Sequence, residues 1–528
     1  MSSNFVPDYD FLNSLDPSDP AHWSIWEHAV RRAEDTPDAH FAVAPSLELT
    51  FSQLVRDSEV LAARLHALGV QAGDSVSYQL PNSYEALIVF LAAMRLGAIA
   101  NPLMTTYRAR ELRHILKEMR SKILFIPSVY RRQDYRDLVR QVDLPDSVHV
   151  VVCGESGGFT PFDKLMSGDN AGAAPDYLRR PDDVAVVVYT SGTSGMPKGV
   201  QHSQRTLIYD SYTAAINALA GAADVSLVPS SFAHIGGLCH AHIVPLLLGS
   251  TMCFLDTWSV DAAVALIRER RITWTTGPTP FLADLLAHPA GGAGAIASLR
   301  TFRCGGADVP SSLILRAQKA GIDAVRCYGC SEMPTISGVS GGAPERAAYT
   351  DGQIHAHVRL RIVDARDGRV LSFGQVGEIE VQGPELFLGY RDEEATSAAM
   401  TDDGWLRTGD LGSVDADGFV TVAGRKKDII IRKGENISAR EIEELLAEHP
   451  EIEDVAVIGL PDAERGEMVT AVIVTRDRGQ LSIEDLRLFL DGIGVARQKY
   501  PERVECIDVL PRTGTGKIQK ESLRTLFL

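Results

Sequence analysis

The sequence predicts an α/β protein with a large N-terminal part and a small C-terminal α/β domain. The chain has 528 residues, which is too long for one compact hydrophobic core. Up to Tyr349, short apolar segments alternate with amphipathic helical segments, a pattern typical of parallel sheets covered by helices. A strand-and-turn pattern follows, and a compact strand–helix–strand pattern ends the chain.

Periodicity predicts the individual elements of the first part. Residues 49–70 have apolar side chains at three- and four-residue spacing and end near Gly69, which predicts an amphipathic helix. The segment "SVSYQL", residues 75–80, predicts a strand, and residues 82–103 predict one buried helix that stops before Pro102. Further buried strands are predicted at residues 122–127 and 148–154.

Changes of pattern place the predicted domain boundaries. From about residue 350 to 424 the sequence alternates strand and turn segments with little helix, which predicts a β-rich, barrel-like subdomain. This subdomain completes a predicted large domain of residues 1–424. The charged stretch "GRKKD", residues 424–428, follows and places the boundary to the small domain. Residues 428–528 are predicted as the small α/β domain, within the usual range of domain sizes.

The composition argues against several classes of protein. The chain carries 52 Lys and Arg against 69 Asp and Glu, a net charge of −17, which disfavours a general nucleic-acid-binding protein. Its apolar stretches are too short or too interrupted for a membrane span. No lysine or arginine precedes Arg31 and no apolar run opens the chain, so we expect no signal peptide and a cytoplasmic protein.

Cysteines and histidines raise the question of a metal site. Cys327 and Cys330 are spaced as C-x-x-C, and His234, His240 and His242 lie close together in the sequence. Neither group comes with a second ligand pair or with carboxylates at ligand spacing. We therefore expect two packed histidines and one, His234, in a pocket, without a metal. The scattered, odd-numbered cysteines fit a reducing compartment.

The stretch "YTSGTSGMPKGV", residues 189–200, predicts a phosphate-binding loop. It follows "VAVVV", a predicted buried strand. The glycines let backbone N–H groups approach an oxyanion, and the hydroxyls and one lysine add donors and positive charge. The loop is not a Walker motif, because Pro197 stands five residues beyond Gly192 and Gly199 follows Lys198. On its own, such a loop can also be a linker without function.

Further motifs follow this loop and argue against a linker without function. They are "YGCSE" (328–332), "WLRTGD" (405–410), "GRKKDIIIRKGENIS" (424–438) and "PRTGTGK" (511–517). The ordered series resembles the adenylate-forming superfamily of acyl-CoA synthetases, adenylation domains and luciferases, most of all a stand-alone acyl-CoA ligase. This resemblance implies a large domain of two stacked mixed sheets with helices and a β-barrel-like subdomain, followed by a small mobile C-terminal domain.

The resemblance implies an ATP site assembled from these motifs. Tyr328 would stack on the adenine, and Ser331 would reach a phosphate. Glu332 would help to hold Mg²⁺. Asp410, whose ionised carboxylate only accepts hydrogen bonds, would bind the two ribose hydroxyls, assisted by Arg425. The remaining implied nucleotide contacts are Thr190, Ser191, Gly192, Thr193, Ser194 and Lys198 at the β- and γ-phosphates, with Gly306, Ala307 and Gly329 near the adenine.

The resemblance also implies a two-step reaction that ends on coenzyme A. Lys517 would contact the carboxylate and the α-phosphate, and would neutralise charge while an acyl-adenylate forms and pyrophosphate leaves. The small domain would then turn about Lys427, and a thiol would displace AMP. The pantetheine arm would meet Arg432, Lys433, Gly434 and Glu435.

The acyl group is expected to lie against "SFAHIGGLCH", residues 231–240, and against "RCGGA", residues 303–307. His234 would stand beside the substrate carboxylate. Neither segment carries an aspartate or a lysine to grip a charged substituent, which favours an apolar, bulky acid, either aryl, alicyclic or polycyclic. Gly236 and Gly237 lack side chains, which suggests room for a wide group, and Gly305 is also expected at the acyl site.

Departures from the family pattern leave alternatives open. Ser331 stands where the family usually has threonine, and Gly514 stands where a stiffer residue is usual. Both changes favour looser positioning, of the phosphate at Ser331 and of Lys517 near Gly514. One alternative is therefore a specialised member that performs mainly the thioester half-reaction. The thiol is alternatively that of a carrier protein. A catalytically silent member is disfavoured, because Lys517, Glu332 and Asp410 are all present.

Overall fold

The large N-terminal domain contains three main sheets, and the smaller C-terminal domain contains one. The sheets of the large domain have nine, eight and four strands, and that of the small domain has five. This mixed α/β architecture confirms the predicted fold class. The computed structural model describes residues 24–145, 147–167, 172–177, 180–190, 196–289, 296–306, 309–339, 342–432, 435–462, 466–477, 479–493, 495, 499–513 and 517–528.

The nine-stranded sheet is parallel at its centre and antiparallel at its edges. Its central strands are almost wholly buried, as expected for parallel strands that have helices on both faces. In spatial order the strands are Gln353–Ile354, Met333–Val339, Asp323–Cys330, Thr301–Gly305, Trp274–Gly277, Val225–Val228, Thr251–Phe254, His40–Ala44 and Leu47–Thr50.

The eight-stranded sheet carries the phosphate-loop region on one side. The pair Val184–Thr190 and Lys198–Ser203 is antiparallel, whereas the inner strands are parallel. In spatial order the strands are Gly389–Tyr390, Lys198–Ser203, Val184–Thr190, Ile99–Pro102, Ser75–Tyr78, Ile123–Pro127, His149–Cys153 and Thr160–Pro161. A separate hairpin pairs Val129–Tyr130 with Gln133–Asp134.

The predicted β-rich region is a four-stranded antiparallel sheet. Its strands are Arg359–Val363, Gly377–Gln382, Leu406–Val414 and Val420–Arg425. The sheet of the small domain is antiparallel except that its last strand pairs in parallel with Gly466–Thr475. Its strands are Ile429–Arg432, Glu435–Ser438, Ile452–Asp462, Gly466–Thr475 and Arg503–Cys506.

Helices cover the faces of these sheets. Within the described ranges, no helix combines the length and the apolar character needed to cross a bilayer. The helices are Ile25–Asp35, Phe51–Ala67, Tyr84–Leu96, Ala109–Met119, Tyr135–Arg140, Phe162–Ser167, Gln204–Asn217, Ile235–Leu238, Cys239–Ile243 (a π-helix), Val244–Leu248, Val260–Arg270, Thr279–Ala287, Ser311–Lys319, Pro344–Tyr349, Glu393–Ala399, Lys426–Asp428 (a 3₁₀-helix), Ala439–Leu446, Ile483–Gly492 and Lys520–Phe527.

The prediction of one helix through residues 82–103 is wrong in its second half. The helix ends at Leu96, because Gly97 adopts a left-handed conformation with φ 65° and its N–H caps the last turn. The chain then continues as the strand Ile99–Pro102 at the centre of the eight-stranded sheet. The run was apolar in both halves, so hydrophobicity alone did not show the change of element.

Asn82 joins the start of the helix Tyr84–Leu96 to residues 230–232, the segment just before His234. Its Nδ2 donates to the carbonyls of Ser230 and Leu255 at 3.0 and 3.1 Å, and its Oδ1 accepts from the N–H of Phe232 at 2.8 Å. The side chain is buried, so water does not replace these bonds. Asn82 therefore holds the loop at residues 230–232 in place.

We expect Asn82→Ala to destabilise the large domain by about 2–3 kcal/mol, because it leaves buried backbone groups unpaired. The measurement is the denaturant midpoint of unfolding, followed by tryptophan fluorescence. Ser83→Ala is the matched comparison, since it removes only a helix N-cap bond to Ala86 and should cost about 1 kcal/mol. Equal losses in the two variants would contradict the role given to Asn82.

Candidate active site

The phosphate-loop region is a hairpin whose two arms face each other. The strand Val184–Thr190 pairs with Lys198–Ser203, and Thr190 lies opposite Lys198 in the register. Thr190 and Lys198 therefore stand at the two ends of the loop, not within it. The predicted phosphate contacts Ser191, Gly192, Thr193 and Ser194 lie outside the described residues.

Both ends of this hairpin are tethered by side chains that the sequence analysis missed. The hydroxyl of Tyr107 donates to the carbonyl of Tyr189 at 2.9 Å, next to Thr190. The Nε2 of His114 donates to the carbonyl of Pro197 at 3.2 Å, next to Lys198. These bonds fix where the loop begins and ends. No motif pointed to them, because the donors belong to a distant helical region.

Glu332 and Lys198 meet at Tyr390. The hydroxyl of Tyr390 donates to Oε1 of Glu332 at 2.5 Å. The ammonium of Lys198 lies 5.3 Å from the centre of the Tyr390 ring, within cation–π range. The short strand Gly389–Tyr390 pairs with the strand of Lys198, which explains why the three side chains converge. This places the predicted metal ligand beside the predicted phosphate lysine.

His202 orients the turn that carries Ser331 and Glu332. It is fully buried, and burial lowers its pKa to about 4, so the imidazole is neutral at pH 7. Its Nε2 lies 2.8 Å from the carbonyl of Ser331 and must donate there, because a carbonyl oxygen only accepts. The turn is therefore held through its backbone, independently of whether residue 331 is serine or threonine.

The predicted nucleoside contacts form one hydrogen-bonded group. The hydroxyl of Tyr328 donates to Asp410 at 2.8 Å, and Arg425 lies 3.3 Å from the other carboxylate oxygen. Asp410 and Arg425 face each other in the register of their two strands. Asp410 is buried, and burial raises its pKa while the charge of Arg425 opposes that rise.

Lys517 of the small domain lies close to residues of the large domain. Burial lowers the pKa of His234 to about 4, and the charge of Lys517 lowers it further. The same charge lowers the pKa of Asp410. Lys517 is thus within electrostatic reach of both the predicted carboxylate site and the predicted ribose site. Its backbone N–H donates to the hydroxyl of Thr513 at 3.2 Å.

The predicted hinge continues from Arg425 to Lys427, and the predicted coenzyme A residues follow it along the chain. Lys427 lies in the 3₁₀-helix Lys426–Asp428, and burial lowers its pKa. Arg432 pairs with Glu502 at 2.6 Å within the small domain. Lys433 and Gly434, and the side chain of Glu435, lie outside the described residues.

A cavity of about 110 Å³ lies next to Tyr328, between the helix Gln204–Asn217 and the nine-stranded sheet. Gly236, predicted at the acyl site, lines this cavity, and Ala307 lies outside the described residues. Gly237 does not line it. A Cβ at Gly237 would lie 2.1 Å from the carbonyl oxygen of Ser231, so this glycine permits close backbone packing rather than a wide substrate.

The other glycines predicted near the nucleotide are explained by packing or by conformation. A Cβ at Gly305 would lie 2.6 Å from the carbonyl oxygen of Cys327 on the next strand. A Cβ at Gly329 would lie 1.9 Å from the carbonyl oxygen of Pro334, across the turn that presents Glu332. Gly306 has φ 81°, which favours glycine.

The cavity has buried polar walls. Asp210, Asn217 and Arg303 line it, and each is at most 5% exposed. Arg303 belongs to the segment "RCGGA" that the sequence analysis named, whereas Asp210 and Asn217 come from a helix that no motif marks. The two named segments carry no aspartate or lysine, but the helix adds the carboxylate of Asp210 to the wall of this cavity.

The suspected metal residues are packed against other groups. His240 stacks on Trp274 with ring centroids 4.3 Å apart, and His242 packs against Phe90 at 4.4 Å. Cys327 and Cys330 are free thiols. Within the part of the chain that the structure describes, no group of three or more His, Cys, Asp or Glu side chains could hold a metal ion.

The order of these elements along the chain matches a known enzyme family. Residues 29–391 match the family described as AMP-binding enzyme, and residues 441–517 match the AMP-binding enzyme C-terminal domain. The chain belongs to the AMP-binding enzyme family. This confirms the resemblance drawn from the motifs.

Individual relatives of this AMP-binding enzyme are acid–CoA ligases. It is 34% identical to the medium-chain fatty-acid–CoA ligase of Escherichia coli over 512 residues, 94% of this chain and 89% of the relative. It is 34% identical to the indoleacetate–CoA ligase of Aromatoleum aromaticum over 485 residues, 91% and 94% of the two chains. The prediction of an AMP-forming acyl-CoA ligase is confirmed at this level.

Solved structures agree on the fold of the AMP-binding enzyme. ATP-bound MatB from Rhodopseudomonas palustris superposes with a TM-score of 0.85 at 30% identity, covering 96% of this chain and 99% of that one. The two chains therefore share the arrangement of large and small domains as well as the sheets.

Replacement of Tyr390 by Phe should weaken ATP–Mg²⁺ binding, because it removes the hydroxyl that orients Glu332. The phenylalanine ring still lies beside Lys198. A hydrogen bond to a charged group contributes about 1.5–3 kcal/mol, so we expect the KM for ATP to rise roughly tenfold or more. Initial rates of pyrophosphate release at varied ATP measure this.

The matched control is Tyr84→Phe. Tyr84 also donates its hydroxyl to a carboxylate, that of Asp57 at 2.8 Å, but outside the site. Its KM for ATP should match that of the wild type. Equal rises in both variants would mean that Tyr390 acts through general stability and not through Glu332.

The raised pKa of Asp410 predicts an acid-dependent loss of nucleoside affinity. The ionised carboxylate is the form that accepts from ribose hydroxyls, so affinity should fall as the pH decreases through this raised pKa. Arg425→Gln removes a charge that lowers the pKa, so the fall should begin at higher pH. Calorimetric titration with adenosine between about pH 4 and 8 measures the two profiles.

Asp410→Asn is the control for this profile, because it has no carboxylate to protonate. Its weaker affinity should lack the acid-dependent step. An Arg425→Gln profile with the same midpoint as the wild type would contradict the coupling between Arg425 and Asp410.

Proposed function

We propose that this protein activates a bulky carboxylic acid with ATP and transfers the acyl group to coenzyme A. The observation that carries the proposal is the reach of the Lys517 charge. Besides the effect of burial, this charge lowers the pKa of His234 and that of Asp410 in the predicted nucleoside group. A lysine that acts on both groups would neutralise charge where an acid and the α-phosphate of ATP meet.

In the first step, a carboxylate oxygen attacks the α-phosphorus, and the bond from that phosphorus to the bridging oxygen of the β-phosphate breaks. Two anions approach each other, so Lys517 lowers the barrier by neutralising the charge that builds up. Lys198 and Thr190 hold the departing pyrophosphate. Burial lowers the pKa of His234 to about 4, so its imidazole is neutral beside the substrate carboxylate.

The residues around Glu332 fit a magnesium ion that is held together with substrate phosphates. Glu332 supplies a hard carboxylate oxygen, oriented by Tyr390 and placed near Lys198. The described protein side chains alone form no metal cluster, which agrees with the tendency of Mg²⁺ to use one or two carboxylates plus phosphates. The ion would neutralise charge on the phosphates during transfer.

In the second step, the thiol sulfur of coenzyme A attacks the acyl carbon, and the bond to the AMP oxygen breaks. We propose that the small domain turns at residues 425–427 between the steps, which withdraws Lys517 and brings Arg432 to the thiol's pantetheine arm. Arg432 pairs with Glu502 at 2.6 Å within the small domain, so it would move with that domain.

Lys517→Ala should slow adenylation by two to three orders of magnitude, the usual effect of losing one charge-stabilising group. It should largely spare thioester formation from a supplied acyl-adenylate. Pyrophosphate release measures the first half-reaction, and acyl-CoA formation from the synthetic adenylate measures the second.

Lys319→Ala is the control, because Lys319 is exposed at the end of the helix Ser311–Lys319. It should leave both half-reactions unchanged. Equal losses of both half-reactions in Lys517→Ala would overturn the separate role of this lysine in adenylation.

The same assay separates the proposal from its alternatives. Coenzyme A and a carrier protein with a pantetheine arm are offered in turn as acceptors. Faster transfer to the carrier protein would show that the carrier, and not coenzyme A, is the acyl acceptor. Thioester formation from supplied adenylates, without pyrophosphate release from any acid, would favour a specialised member for the second half-reaction.

A further inference from the structure

The helix Ala109–Met119 lies behind the hairpin that carries Thr190 and Lys198. Side chains alternate between the two faces of a strand. Tyr189 and Gly199 pair with each other and therefore stand on the face opposite to Thr190 and Lys198. The buried ring of Tyr189 belongs to one apolar cluster with the helix. The helix residues in this cluster are Leu112, Ile115, Leu116 and Met119.

Gly199 lets the ring of Tyr189 lie across the hairpin. A Cβ at Gly199 would lie 3.0 Å from Cζ and 3.1 Å from the hydroxyl oxygen of Tyr189. That hydroxyl donates to the carboxylate of Glu118, on the helix. Burial raises the pKa of Tyr189, so the phenol keeps its proton. One hydrogen bond thus joins the helix to a ring that lies over both arms of the hairpin.

His114 joins the same helix to the second arm. Its Nε2 donates to the carbonyl of Pro197 at 3.2 Å, directly before Lys198. His114 and Glu118 are four residues apart, so they project from one face of the helix. The two contacts therefore hold the residue before Lys198 and the residue before Thr190 at positions that a single helix sets.

The helix is itself fixed to the sheet at its beginning. The backbone N–H of Arg108 donates to the side chain of Glu111 at 2.9 Å, which caps the first turn. In the turn that precedes the helix, the carbonyls of Met104 and Tyr107 accept from Nε2 of Gln79 at 2.9 and 3.1 Å. Gln79 is buried directly after the strand Ser75–Tyr78. The helix is therefore a stable support for the hairpin.

The phosphate end and the nucleoside end of ATP would be held by different sheets. Thr190 and Lys198 belong to the eight-stranded sheet, whereas Tyr328 and Asp410 belong to the nine-stranded and four-stranded sheets. A change in the helix behind the hairpin should therefore act on the phosphates and spare the nucleoside. Accurate placement matters, because a shift of about 1 Å in a positioned group can slow a reaction roughly 100-fold.

We propose that His114 and Glu118 are positioning residues for the pyrophosphate that leaves ATP. Through them, the helix Ala109–Met119 sets the spacing between Thr190 and Lys198. This inference rests on the proposed function, which assigns the departing phosphates to these two residues. Both side chains act through the hairpin, and they affect adenylation but not transfer to the thiol, in which no pyrophosphate takes part.

The first test compares ligands with and without phosphates. His114→Ala and Glu118→Ala should each weaken the binding of ATP–Mg²⁺ about three- to tenfold, because each removes one hydrogen bond that holds the hairpin. Adenosine has no phosphates, so its affinity should not change. Calorimetric titration of the folded variants with the two ligands, without an acid, measures both affinities.

The second test compares the two half-reactions. Pyrophosphate release at low ATP should fall by the same factor as the ATP affinity. Formation of acyl-CoA from a supplied acyl-adenylate should proceed at the wild-type rate. A variant that was only less stable would lose both half-reactions alike.

Two further variants separate positioning from stability. His114→Gln keeps an N–H donor on a side chain of similar reach, so it should recover most of the ATP affinity. Arg113→Ala is the matched control. Arg113 also donates from this helix to a backbone carbonyl, that of Gln141 at 2.9 Å, which is not part of the hairpin. Its loss should leave both affinities unchanged.

Tyr189→Phe keeps the proposal testable where Glu118→Ala fails to fold, because phenylalanine keeps the buried ring and lacks the hydroxyl. It should weaken ATP binding as much as Glu118→Ala does. The double variant should be no weaker than either single variant, since all of them lose the same hydrogen bond.

Other outcomes contradict definite claims. Equal losses of ATP and adenosine affinity, or an equal loss of ATP affinity in Arg113→Ala, would overturn the inference, and so would unchanged ATP affinity in folded His114→Ala and Glu118→Ala. A wild-type protein that binds ATP but releases no pyrophosphate with any acid overturns the proposed function and leaves the role of the helix in phosphate binding intact. A wild-type protein that binds neither ligand overturns both.

Discussion

One buried hydrogen-bonded carboxylate, that of Asp410, joins the parts of this molecule. Tyr328 reaches it from the nine-stranded sheet at 2.8 Å, and Arg425 reaches it within the four-stranded sheet at 3.3 Å. Arg425 is also the last residue before the link to the small domain. A buried ionised group is stable only when it is paired, so the sheets must keep this relative position for Asp410 to remain charged. The nucleoside site is thus a consequence of how the sheets are joined.

The strand Asp323–Cys330, which carries Tyr328, also contacts the small domain. Arg326, two residues before Tyr328, pairs with Asp351 at 3.1 Å, and Arg440 of the small domain lies 3.6 Å from the same carboxylate. Glu444 adds a longer contact to Arg326 at 3.7 Å and is half exposed. Separating Arg440 from Asp351 leaves Asp351 paired with Arg326, so the carboxylate is never isolated. A domain rotation therefore breaks outer contacts and spares the inner pair, which keeps its cost moderate.

The sequence alone predicted the family, the fold class and most of the groups that the structure brings together. Tyr328, Glu332, Asp410 and Lys517 lie in ordered motifs, and motif order survives even where single spacings are ambiguous. The residues that hold these groups were not predictable in this way. Tyr390, His202 and His114 act through long-range contacts that only the pairing of strands and helices creates. The helix that ends at Gly97 was misjudged because a central parallel strand is as apolar as a buried helix.

The pocket was harder to predict because its floor is assembled from distant segments. The segments at residues 231–240 and 303–307 carry no aspartate or lysine, which favoured an apolar acid. Asp210 and Asn217 enter from a helix that no motif marks. Tyr328 forms part of both the cavity wall and the Asp410 group, so an acyl group that displaces its ring also disturbs the hydrogen bond to Asp410. If the acid binds in this cavity, which Gly236 of the predicted acyl site lines, its fit is coupled through Tyr328 to the predicted nucleoside site, and selection would take effect at adenylation, before the thiol is engaged.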